Sequence, residues 1–100
     1  MASTVDDLQA LPGSEIVLPG LADLEAGRDT IDAAAVQVAA RRLRAEDLQV
    51  PPRAPDAEEP GHLLFRRISE SGQPNPHSRY NAILRRVDSF ARALEGARAR

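Results

Sequence analysis

One hundred residues suffice for a single hydrophobic core and are too few for two. Leu, Ile, Val and Phe supply 23 of them, and alanine makes up much of the remaining apolar count, so the expected core is modest. No apolar run approaches the roughly 20 residues of a membrane span, no basic segment leads into an apolar one as in an export signal, and the absence of cysteine excludes disulfides, thiolate metal sites and a cysteine nucleophile. The expectation is one cytoplasmic domain over residues 1–100.

All 13 basic residues are arginine, a composition typical of GC-rich coding sequence. The net charge of −2 conceals a split: residues 1–60 carry 12 acidic and 5 basic groups, residues 61–100 carry 3 acidic and 8 basic. Such asymmetry marks either a nucleic-acid face or two halves that attract each other.

In chain order, residues 1–13 read as a short helix or a frayed end that stops at Pro12-Gly13. Glu15 to Leu18, closed by Pro19-Gly20, reads as an extended segment laying Ile16 and Leu18 on the core. Gly20 to Ala26 then forms a two-turn helix with Gly27 at its left-handed C′ position. Asp29 or Thr30 caps a longer helix to about Asp47, with Asp29 and Asp32 spaced like a capping box. On it Ile31, Ala35, Val38 and Ala39 share a face that Val36 and Leu43 extend sideways, and its alanines allow close approach, which makes it the helix the others pack around.

Residues 50–60 hold four prolines and three acids, which forbid a helix and predict an exposed connection. His62 to Ser71 reads as a helix with Leu64, Phe65 and Ile68 inward and Arg66 and Arg67 outward, stopped by Gly72. Asn75 and Pro76 suit the N-cap and N1 positions of a last helix that runs to about Ala97. The expected fold is therefore all-α: a small bundle of four to five helices, with a proline-rich connection between two helical pairs.

On the last helix Tyr80, Leu84, Val87, Ala91 and Leu94 alternate steps of four and three, the seam of a coiled coil or of a bundle interior. This predicts a non-enzymatic interaction protein whose partner is a second copy, as a homodimer, or another protein. The alternative is a nucleic-acid-binding regulator that uses Arg66, Arg67, Arg79, Arg85, Arg86 and Arg92. No membrane partner is expected, because Asn81, Asp88 and Glu95 interrupt the polar face.

Candidate chemistry is sparse. His62 and His77 lack convergent partners for a metal, so no metal or cofactor is expected. His77 and Ser78 are adjacent on one helix and point about 100° apart, which denies them a nucleophile–base contact. Isolated glycines make no phosphate cradle, and Asp6-Asp7 and Glu58-Glu59 lie in exposed sequence where nothing raises a carboxyl pKa. Tyr80 is the one polar aromatic residue heading the seam; a pocket beside Tyr80 and His77 would revive a ligand-binding reading.

Overall fold

The computed structural model describes residues 8–53 and 56–98, so the expectation for residues 1–7 lies outside it. The described residues form five helices and no strand: α1 (Ser14–Glu25), α2 (Ile31–Val38), α3 (Ala40–Ala45), α4 (Pro60–Glu70) and α5 (Pro76–Arg98). None is long and apolar enough to cross a membrane.

The segment expected to be extended before Pro19 is helical, and α1 runs through Pro19 without a break. Pro19 faces solvent, where water can meet the Glu15 carbonyl that its missing N–H leaves free. Gly20 is buried and serves as a contact point rather than a stop: a Cβ there would lie 2.5 Å from both the Asp32 carbonyl oxygen and a Val36 methyl. Gly13, at φ 83°, backs onto α5 in the same way, with a Cβ meeting the Arg86 carbonyl oxygen at 2.1 Å. The end of α1 follows expectation. Gly27 (φ 74°) donates to the Leu24 carbonyl, and Arg28 donates to the Asp23 carbonyl, the paired bonds of a Schellman ending.

Thr30 caps α2, its hydroxyl accepting from the Ala33 amide at 3.0 Å and donating to Asp23 at 2.7 Å. The expected capping box of Asp29 and Asp32 is absent, since Asp29 pairs with Arg67 at 3.3 Å instead. The helix expected to reach Asp47 is interrupted at Ala39, whose amide turns back to the Val36 carbonyl in a tighter three-residue bond before α3 begins. Of the expected face, Ala35 is buried and Ile31 and Ala39 pack against the core, but Val38 is 37% exposed, and Val36 and Leu43, expected at its side, are fully buried. Ala33, Ala34 and Ala35 are all buried because their short side chains admit neighbours on several sides. α2 touches α1, α4 and α5 and is the hub of the fold.

The proline-rich connection is exposed over most of its described length but starts in the core. Val50 is buried, and Arg44 donates to the carbonyls of Val50 (2.8 Å) and Pro51 (3.2 Å). Glu59 caps α4, accepting from the Gly61 and His62 amides at 3.1 and 2.9 Å. Inside the bundle Val17, Val36, Leu43, Leu64, Ile68, Val87 and Phe90 form one apolar cluster.

Candidate functional site

α5 is a 23-residue helix, introduced by Asn75 at φ 58° with its carbonyl accepting from the Arg79 amide. Asparagine is among the non-glycine residues that best tolerate this left-handed region. The structure divides the five-residue seam. Val87, Ala91 and Leu94 are buried in the chain's own core, whereas Tyr80 and Leu84 are half-buried. The buried stripe is rotated toward Phe90, which is fully covered, and Ile83. Ile83, Val87, Phe90 and Leu94 have the same four-three-four spacing as the seam, and the larger Phe90 side chain takes the core position; that second stripe was the signal available in the sequence.

The six arginines nominated for nucleic acid do not form a free basic surface. Arg86 donates to both carboxylate oxygens of Glu15 at 3.0 Å, tying α5 to α1, and this hydrogen bond holds the Glu15 carboxyl below its usual pKa. Arg66 bridges Glu58 (2.7 Å) and Glu70 (3.2 Å). Arg92 pairs with Asp88 at 2.9 Å; Asp88 also takes Arg42 of α3, and the hydrogen bond from Arg42 is the main cause of its lowered pKa. Arg79 donates to the Pro74 carbonyl at 3.0 Å. Arg67, expected to point outward, is partly buried against Asp29. Only Arg85 of the six has no hydrogen-bonding or charged partner among the described residues. Glu15, Asp29, Glu46 and Asp47 of the acidic half thus reach Arg86, Arg67 and Arg98 of the basic half, as expected for two halves that complement each other.

What the α4/α5 pair leaves open is a cleft of about 420 Å³, lined by Gly61, His62, Phe65 and Arg66 of α4 and by His77 and Tyr80 of α5. Phe65 is its centre. Its ring lies 4.6 Å from His77 at 42° and 5.9 Å from Tyr80 at 70°, an edge-on contact within the range favoured by ring quadrupoles. Gly61 shapes the floor: a Cβ there would come within 3.1 Å of both the Tyr80 hydroxyl and the Glu59 carboxylate. The sequence singled out Tyr80 and His77; it hid Phe65, expected to point into the core, and Gly61, expected to be punctuation. A second hollow of the same volume, beside Arg44, Val50 and Pro51, has carbonyl walls already held by Arg44.

The cleft's titratable rim is mostly engaged. Glu59 is held below its usual pKa by the His62 and Gly61 amides, and Glu58 by its hydrogen bond from Arg66. Among the described residues no three metal-ligating side chains converge. Comparison with protein-family models, curated proteins and solved structures finds no match to this chain.

Proposed function

We propose that this chain is a non-enzymatic helical interaction protein of the cytosol that associates with a second copy of itself at the Tyr80–Leu84 edge of α5. The observation that carries this reading is the contrast on that helix: its arginines are largely engaged within the chain, while Tyr80 stays half-exposed at an open, aromatic-lined cleft and Leu84 half-exposed one turn further along. Apolar side chains left at a rimmed opening gain from removal from water on association. A phosphate backbone, by contrast, would have to displace carboxylates from Arg66, Arg86 and Arg92.

Light scattering on the eluting protein tests it. The expected mass is twice 10.8 kDa, falling to the single-chain value in Leu84→Asp with helicity unchanged. A single-chain mass at every concentration overturns self-association. A heavier species that absorbs at 260 nm and dissociates in salt overturns it in favour of nucleic acid.

A further inference from the structure

We propose that the α4/α5 cleft is a guanidinium site, filled by an arginine side chain of the partner chain; the identity of that partner as a second copy rests on the self-association proposed above. Three properties of the cleft converge on this chemistry. Its walls are aromatic faces, Phe65 and Tyr80 meeting nearly at right angles with His77 beside them, and a planar cation stacks on such faces.

Its rim carries three carboxylates: Glu58 and Glu70 are both spanned by Arg66, which itself lines the cleft, and Glu59 stands at the floor, 3.1 Å from where a Gly61 Cβ would lie. Its anion-binding donors are closed. The amides of Gly61 and His62 at the positive end of α4 are taken by Glu59, so an anionic ligand would have to displace that carboxylate and face two more. What remains accessible is π surface and the outward lone pairs of Glu59 and Glu70, whose side chains are 61% and 55% exposed although each already holds one partner, the complement of a cation with an apolar stem. A second copy offers only one such group, because every basic residue of this chain is arginine.

Tyr80 is the chain's only tyrosine and tryptophan is absent, so intrinsic fluorescence reports on this cleft alone. The full-length protein is titrated with N-acetyl-arginine amide, and with the citrulline analogue, which has the same shape and no charge. The expected result is a saturable change in Tyr80 emission with the arginine compound and about tenfold weaker binding of the citrulline compound. Phe65→Leu and Glu59→Gln, each checked for retained helicity, should weaken the arginine response several-fold, the first by removing a π face and the second by removing a charge.

Equal responses to the two compounds, or no response to either, overturn the site. In the light-scattering experiment the arginine compound should also lower the mass toward one chain. A dimer that survives saturation of the Tyr80 signal overturns the partner's arginine as occupant and leaves self-association standing. A chain that is monomeric throughout removes the second copy, and the fluorescence titration then decides the guanidinium site by itself.

Discussion

The contact between α1 and α2 and the contact between α4 and α5 are built on opposite plans. On the first side Gly20 and the alanines of α2 bring main chain against main chain, so closely that one added methyl at Gly20 would sit 2.5 Å from its neighbours. On the second, the large rings of Phe65, His77 and Tyr80 stand between the helices at their open end and leave a cleft of about 420 Å³. Helix spacing follows the size of the side chains at the contact: small ones let backbones approach, and a groove opens where large rings stand between helices. The tight side holds the fold together, and the open side is free to meet something else.

The largest loss is expected where a charge is driven into the shared core. Val87 is 1% exposed, so Val87→Asp should cost more than about 3 kcal/mol and abolish the thermal transition rather than merely separate chains. Loss of the dimer with the fold intact would place Val87 at the chain's surface instead of in its core. Next comes Gly13→Ala, where the left-handed φ of 83° and a 2.1 Å approach to the Arg86 carbonyl add strain to overlap. About 3 kcal/mol is expected, or roughly 12–24 °C in melting temperature for a domain of this size.

Gly20→Ala should follow, at about 1–3 kcal/mol, because its overlap with α2 outweighs the better helix propensity of alanine. Gly96→Ala, with nothing within 4 Å, should instead be neutral or stabilising by up to about 1 kcal/mol. If the two helical glycines respond alike by calorimetry, the close α1/α2 contact is wrong. On the open side Phe65→Leu should cost under about 1.5 kcal/mol, because the half-buried ring already borders a cleft.

The smallest effects are electrostatic. The lowered pKa values of Glu15, Asp23, Glu58, Glu59 and Asp88 mean that each carboxylate stabilises the fold fully above the ordinary carboxylate range and loses that contribution as pH falls through its depressed value. Asp32 has the opposite sign: burial, reinforced by the charges of Asp23 and Glu15, raises its pKa, so its ionised form opposes folding and protonation relieves it. In an NMR pH titration Asp32 should therefore take up its proton at a higher pH than Asp23, which starts from the same ordinary value and is lowered. The reverse order would remove Asp32 from the α1/α2 contact.

The parts of the fold most legible in the sequence are those decided within a few neighbouring residues. The cap at Thr30, the Schellman ending at Gly27 and the span of α5 depend on local hydrogen bonding and turn chemistry. The parts that misled depend on what lies across the contact. Pro19-Gly20 looks like a stop, and only the presence of α2 against Gly20 explains why the helix continues. Val50 looks like the start of a solvated tether, yet Arg44 and the core retain it. The same holds for the candidate site: Tyr80 and His77 stood out as a pair on one helix, but Phe65 and Gly61 joined them only once α4 was set beside α5. Of the seam on α5, Val87, Ala91 and Leu94 lie in the core as a bundle-interior seam implies, while the overlapping stripe of equal spacing adds the bulkier Phe90 to that core and leaves Tyr80 and Leu84 half-buried.

Ala33, Ala34 and Ala35 bear on the entropy of folding as well as on spacing. Burying a long side chain freezes its rotamers, at up to about 2 kcal/mol each, whereas alanine has no such freedom to lose. The most enclosed stretch of this chain is therefore also the one whose side chains surrender the least disorder on becoming ordered. A domain with few large apolar residues can in this way place a helix at its centre without the rotamer losses that usually accompany central burial.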